Sequence, residues 1–280
     1  MSMMAEERRF RIREMLAVQR TVSASELREI LQVTAATIRR DLAELEKEGI
    51  LVRRHGGAVS RATSTNFQPS YEALGRVNRT EKQAIAREAE RLILDGETVF
   101  LEGSTTVYDL ARRLCHRNRL TVVTNSPPIV LELQRSPNVA VICTGGELQK
   151  DVSYLSGVWA QHALSEIRVD KAILGVSAID AVYGISTASQ GEAQIKKMIL
   201  KAAKVRIALA DHSKFGNQGF AYVGPVTDID ILVTDSGVDS KYIRPLREEG
   251  LELILAEVRA TGDATRADGK MRARSGPGRH

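Results

Sequence analysis

The run Val33-Thr34-Ala35-Ala36-Thr37-Ile38-Arg39-Arg40-Asp41-Leu42, continued by Leu45-Glu46 and Gly49, places two chemistries on one helix. Ile38, Leu42 and Leu45 recur at i, i+4 and i+7 and must face inward. At about 100° per residue the opposite face carries Ala36, Thr37, Arg40, Ala43 and Lys47, with Arg39 at its flank. Thr34 is placed to cap a helix over Ala35 to Glu48, and Gly49 ends it by adopting the left-handed conformation. Small residues at the start of the exposed face let a backbone approach a groove floor, while Thr37, Arg39 and Arg40 can donate to base edges and phosphates.

The flanks fit the same reading. Upstream, Phe10, Ile12, Met15, Leu16 and Ala17 form one apolar stripe over Glu6 to Gln19, predicting a first helix. A turn through Arg20 to Val22 leads to Ser23-Ala24-Ser25-Glu26, a capping box that opens a second helix ending at Leu31. Downstream, Ile50 to Val59 reads as two short strands about Gly56-Gly57, with Arg53, Arg54 and His55 beside the tip as a wing able to touch phosphates. The DNA contacts expected are therefore Ser23, Thr34, Ala36, Thr37, Arg39, Arg40, Arg53, Arg54 and His55. A three-helix bundle with a solvated basic face is the alternative from the helical pattern alone.

This string, through Arg54-His55-Gly56-Gly57-Ala58, closely resembles the winged helix-turn-helix of DeoR-family transcriptional regulators. The charge distribution is compatible with that. Residues 1–60 carry 11 Lys/Arg against 9 Asp/Glu, residues 61–258 carry 23 against 24, and residues 259–280 carry 6 against 2. A near-neutral centre between basic ends suits a nucleic-acid-binding head on a body that handles something small.

The 280 residues, 43% hydrophobic and 27% charged, exclude disordered, collagen-like and disulfide-scaffold classes. No apolar run approaches the roughly 20 residues needed to span a bilayer, and the charged start lacks a signal-peptide core, so a cytoplasmic protein is expected. Cys115 and Cys143 lack metal-ligand spacing and read as buried thiols, and the scattered histidines share no such spacing. Neither a metal site nor a cofactor is expected.

Arg61 to Pro69 has no apolar period and reads as a linker. The boundaries drawn are a head at 1–60, a linker at 61–75, a body at 76–258 and a disordered basic tail at 259–280. Within the body, helices at 80–94, 105–114, 127–134, 158–166, 190–203 and 239–249 alternate with strands at 98–101, 120–124, 138–143, 171–176, 205–210, 230–234 and 251–256. That alternation predicts a Rossmann-like α/β domain, a parallel sheet with helices on both faces. In such sheets ligands sit beyond the carboxyl ends of the strands.

Those ends are polar. Glu102-Gly103-Ser104-Thr105-Thr106 leads from a strand into a helix N-terminus, a plausible phosphate cradle, although Ser and Thr cap helices everywhere. Asn125-Ser126 and Thr144-Gly145-Gly146 end the next two strands. Asp211-His212-Ser213-Lys214 ends another, where Lys214 can neutralise an anion and Asp211 accept from sugar hydroxyls, although such a pair is more often a surface salt bridge. Gly175 and Lys196 complete the expected effector contacts Gly103, Ser104, Thr105, Thr106, Asn125, Ser126, Gly145, Gly146, Gly175, Lys196, Asp211 and Lys214. Glu192 and Lys196 also read as an ordinary i, i+4 helix pair, the favoured reading.

These motifs resemble the DeoR-family effector domain in order and approximate spacing, with Glu102 a departure where many members carry Asp. The resemblance implies a repressor or activator of a carbohydrate operon whose body binds a phosphorylated sugar. The body also resembles ribose-5-phosphate isomerases. Gly175-Val176-Ser177-Ala178, however, has no carboxylate where those enzymes place an acidic pair, and Gly184 to Gly191 lacks their Lys-Gly-Gly-Gly run. A binding protein without turnover, partnered by double-stranded operator DNA and a phosphorylated sugar, is therefore expected. One recognition helix reads only a few base pairs, so a homodimer or homotetramer is expected as well.

Overall fold

The computed structural model describes residues 4–19, 21–54, 56–60, 70–150 and 152–258. His55, most of the linker (61–69) and the whole tail (259–280) lie outside the described residues, as does the side chain of Ala17.

The head contains helices α1 (Ala5–Gln19), α2 (Ala24–Leu31) and α3 (Ala35–Lys47) and strands β1 (Thr21–Ser23), β2 (Leu51–Arg54) and β3 (Gly57–Ser60), in the sheet order β1-β3-β2. Ile12, Leu16, Leu27, Leu31, Ile38, Leu42, Leu45 and Leu51 form its buried core. The predicted turn at 20–22 is largely strand. Val22 is buried opposite Ala58, and a Cβ at Gly57 would lie 2.1 Å from the Val22 carbonyl oxygen, so only glycine lets β1 approach this closely. Phe10, expected in the α1 stripe, is exposed. Beneath α3, Asp41 receives a bidentate hydrogen bond from Arg8 of α1 (2.8 and 3.2 Å), tying the two helices through a buried ion pair.

A short helix, α4 (Tyr71–Arg76), occupies the last part of the expected linker. Ser70 caps it, accepting from the Ala73 amide at 3.2 Å. Six residues carry too little periodicity to register as a helix in sequence.

The body follows as α5 (Arg79–Glu90), β4 (Thr98–Leu101), α6 (Thr105–Leu114), β5 (Leu120–Thr124), α7 (Pro127–Leu133), β6 (Val139–Cys143), β7 (Glu147–Gln149), β8 (Tyr154–Ser156), α8 (Gly157–Ser165), β9 (Val169–Gly175), β10 (Ala178–Asp180), β11 (Gly184–Thr187), α9 (Gln190–Ala202), β12 (Ala203–Leu209), β13 (Ala221–Gly224), β14 (Ile231–Asp235), α10 (Ser240–Glu248) and β15 (Glu252–Ala256). Seven strands form one parallel sheet in the order β15-β14-β12-β9-β4-β5-β6. Separate apolar clusters include Phe100, Leu174, Ile199 and Leu232 in one and Ile85, Leu101, Leu110 and Ile129 in the other.

The sequence reading lacked the β7-β8 hairpin and the antiparallel sheet β10-β11-β13, whose strands are only three or four residues long. Helix α5 ends at Glu90 rather than 94, and Leu94 is exposed. The thiols also differ from expectation. Cys143, on the sheet's edge strand, is exposed, while Cys115 is partly buried. Among the described residues no helix is long and apolar enough to cross a membrane.

Candidate functional site

Two surfaces gather the residues singled out in the sequence. On the head, Thr34 caps α3, accepting from the Thr37 amide at 3.3 Å, and Ile38, Leu42 and Leu45 point inward. That orientation leaves Thr34, Ala36, Arg39 and Arg40 exposed and Thr37 half-buried. Ser23 makes the capping box of α2 with Glu26, which positions α2 behind α3. Arg53 and Arg54 are exposed at the end of β2. The surface therefore presents small residues, hydroxyls and guanidinium groups on one protruding helix and its wing.

On the body, the sheet order sets the carboxyl ends of β12, β9, β4 and β5 side by side. Ser104 caps α6, its hydroxyl accepting from the Val107 amide at 3.3 Å. The first amides of α6, at Thr105 and Thr106, lie in the turn that has no helical acceptors. Two glycines allow this turn to sit low. A Cβ at Gly175 would fall 2.2 Å from the Ser104 hydroxyl, and one at Gly103 2.7 Å from Cβ of Tyr154. The Gly103 amide donates to Asn125 Oδ1 at 3.0 Å, and Asn125 Nδ2 donates to the Leu155 carbonyl at 3.1 Å. Asn125 thus holds the cradle turn against β8.

Under the cradle lies a buried charge cluster. Glu102 accepts from the Gly175 amide (3.1 Å) through one oxygen and from Lys196 Nζ (2.7 Å) through the other. Lys196 also donates to the Gly175 carbonyl (2.8 Å) and lies 3.3 Å from Glu192. Burial pushes the Glu102 carboxyl up, because two carboxylates share one ammonium in a dry site. Burial alone would lower the Lys196 amine, but Glu102 and Glu192 more than offset it and hold it above its usual value. The i, i+4 pair of Glu192 and Lys196 favoured from sequence is present, but both residues are buried and Lys196 also binds Glu102. Lys196 supports the cradle from below, with its three N–H directions committed.

At the β12 end, Asp211 Oδ1 accepts from Asn78 Nδ2 (2.8 Å), the Ser213 amide (3.0 Å) and the Ser213 hydroxyl. Its other oxygen, Oδ2, is buried without a hydrogen-bond partner, with Lys214 Nζ 3.9 Å away. Burial would raise the Asp211 carboxyl, but Lys214 and Lys82 hold it below the usual range. His212 is raised by its hydrogen bond to Asp235 at 2.9 Å and serves to anchor this loop. Ser126 Oγ and the Tyr71 hydroxyl are likewise buried with no partner. Burial raises the Tyr71 phenol, with Tyr108, Asp109 and Glu102 adding to the effect. An unpartnered buried polar atom costs about 1–3 kcal/mol, and these three lie after β12, after β5 and at the start of α4.

The structure does not bring every expected residue together. Gly145 and Gly146 follow β6, which pairs directly with β5, so they lie one strand from Asn125-Ser126 but four strand positions, roughly 19 Å, from the Asp211 end. They turn the chain into β7, and a Cβ at Gly146 would lie 2.4 Å from the Ser156 carbonyl. Sequence reasoning also passed over Tyr71, Asn78 and Lys82. Lys82 is 2% exposed on the apolar stripe of α5 with Ile85, Ala86 and Ala89, and a lysine on such a stripe is the signal that was there to be read.

A model of the DeoR C-terminal sensor domain matches residues 77–236, and one of the DeoR-like helix-turn-helix domain matches residues 8–64. The uncharacterized HTH-type transcriptional regulator YulB of Bacillus subtilis is 34% identical over 93% of this chain and its own full length. The putative aga operon transcriptional repressor of Escherichia coli O157:H7 is 32% identical over 89% of this chain and 93% of its own. The glycerol-3-phosphate regulon repressor of Escherichia coli K12 is 30% identical over 86% of this chain and 95% of its own. These relatives are named as regulators and repressors, not enzymes. Among solved structures, ribose 5-phosphate isomerase A of Methanocaldococcus jannaschii aligns with 49% of this chain and 55% of its own at 19% identity and a TM-score of 0.37. On the sensor-domain and helix-turn-helix matches and the near-full-length relatives, the chain belongs to the DeoR family of transcriptional regulators.

Proposed function

We propose that the chain represses an operon for carbohydrate use, gripping operator DNA with α3 and the wing and releasing it when a phosphorylated sugar fills the cradle. The observation that carries the effector reading is the set of buried, unpartnered oxygens at Ser126 and Asp211, beside the α6 N-terminus and Lys214. A helix N-terminus favours an anion and Lys214 supplies a full positive charge, so the phosphate belongs there. Asp211 Oδ2 accepts from a sugar hydroxyl and Ser126 Oγ bonds another. The names of the aga operon and glycerol-3-phosphate regulon repressors are in keeping with such an effector.

Glu102, under the cradle, is committed to Gly175 and Lys196 and is not free to move a substrate proton. Each head presents one reading helix, so specific binding calls for a homodimer or homotetramer.

Thermal unfolding of the full chain against a panel of sugar phosphates and the matching unphosphorylated sugars tests the effector. A ligand at 100 times its Kd stabilises by about 2.7 kcal/mol. A rise with phosphorylated members alone, abolished in Lys214→Ala, is the expected result. An equal rise with free sugars, or no rise with any compound, overturns the reading.

A further inference from the structure

Helix α4 is pinned at both ends, to different parts of the molecule. At its start, the Ser70 amide donates to Glu14 Oε1 of α1 at 2.7 Å, and Glu14 is itself buried. A cavity of about 40 Å³ between the helices is lined by Met15 and Ile30 of the head and by Ala73 and Val77. At its other end, Lys82 Nζ of α5 donates to the Leu74 carbonyl. Leu74 lies in the last turn, where carbonyls have no helical donor. A helix of six residues does not hold itself in water, so α4 depends on these two attachments. Its inner face meets the cradle. A Cβ on Gly75 would touch the Thr105 side chain at 3.8 Å, and Tyr71 points its unpartnered hydroxyl into the buried space.

Lys82 is an unusual attachment. It is a buried ammonium that donates to a neutral carbonyl, and burial pushes its amine down to about 8. Asn78, one turn before Lys82, donates to Asp211 Oδ1 at 2.8 Å, which sets Lys82 and Lys214 on the same carboxylate, while Asp109 and Glu81 also act on Lys82.

We infer that Lys82 is a second cation of the effector site and that an anion seated there draws it from the Leu74 carbonyl, loosening α4 and with it the hold on α1. A phosphate oxygen is a full anion, and it offers the Lys82 ammonium a Coulomb attraction that the neutral Leu74 carbonyl does not. The exchange is therefore favourable for Lys82 and leaves Leu74 uncapped. This rests on the cradle being the effector site, and it supplies what that reading lacks, a physical link from the cradle to the DNA-binding head.

Hydrogen–deuterium exchange on the full chain, with inorganic phosphate against chloride at matched ionic strength, tests it. In the native chain phosphate should slow exchange at residues 103–107 and speed it at residues 71–77 by about tenfold, the scale of losing a charged hydrogen bond. Lys82→Met should show fast exchange at 71–77 without phosphate and no further response. Lys82→Gln, which keeps a donor for Leu74 but no charge, should stay slow in both conditions and so separates the latch from a folding defect. Protection at 103–107 with no change at 71–77 in the native chain overturns this inference and leaves the cradle standing. No protection at 103–107 overturns the cradle for phosphate, and the inference with it.

Discussion

Helices α3 and α6 begin alike and serve differently. Each follows a hydroxyl cap in extended backbone, Thr34 at φ −73° and ψ 157°, and Ser104 at φ −137° and ψ 161°. Each opens on two small or hydroxylated residues, Ala35-Ala36 and Thr105-Thr106. Around α3 the surface falls away and Thr34, Ala36, Arg39 and Arg40 are exposed. Around α6 the ends of β9 and β5 rise as walls, and Gly103, Thr106, Asn125 and Ser126 are buried. One local device thus suits a long polyanion where it protrudes and a small one where neighbouring strands enclose it. The surroundings, rather than the cap, determine which ligand each helix can meet.

The enclosed version rests on a costly foundation, and that is where the comparison breaks most severely. Lys196→Met removes the cation that Glu102 and Glu192 share. Removing one partner of a buried pair costs about 3–5 kcal/mol, which urea unfolding would register as a lower midpoint. Operator binding by the folded fraction should persist, because Glu102 and Lys196 bond to each other and to Gly175 within the body. A loss below about 1 kcal/mol would show that the cluster is not the cradle's support.

The open version breaks through its ligand instead. Arg40→Ala should leave the melting temperature unchanged and weaken binding to a selected operator fragment by about 1–3 kcal/mol, with relaxed preference at one base pair. Uniform weakening on all DNA, with a shallower salt dependence, would make Arg40 a phosphate contact.

The two surfaces were not equally legible in sequence. The α3 surface could be read because its signals are local: a cap, a stripe at i, i+4 and i+7, and exposed arginines between them. The turn at 102–106 could be read for the same reason. What could not be read depends on partners far along the chain. Asp41 meets Arg8 across 33 residues, and Lys196 meets Glu102 across 94. Lys196 lies four residues from Glu192, and from spacing alone a surface pair and a buried one look identical. Gly145-Gly146 ends the strand next to β5 but lies four strand positions from Asp211, and only strand order reveals those distances. Tyr71 lay in a stretch read as linker, because a six-residue helix held by its neighbours leaves little periodicity of its own.

The smallest effect is also the sharpest comparison, because it tests the two caps as the same device. Thr34→Ala and Ser104→Ala each remove a hydroxyl that accepts one amide of the first turn (3.3 Å in both cases), and loss of such a cap costs about 1 kcal/mol. If the surroundings set the ligand, the two variants should lose similar stability but differ in function. Thr34→Ala should weaken operator binding while leaving the stabilisation by a sugar phosphate intact, since α3 lies outside the cradle. Ser104→Ala should reduce that stabilisation while binding the operator normally in effector-free buffer. The thermal shift and the operator titration, run on both variants, form a two-by-two test. If Ser104→Ala lowers operator affinity as much as Thr34→Ala does, the cradle helix is needed for the grip on DNA even when empty, and the division of labour between the two helices is wrong.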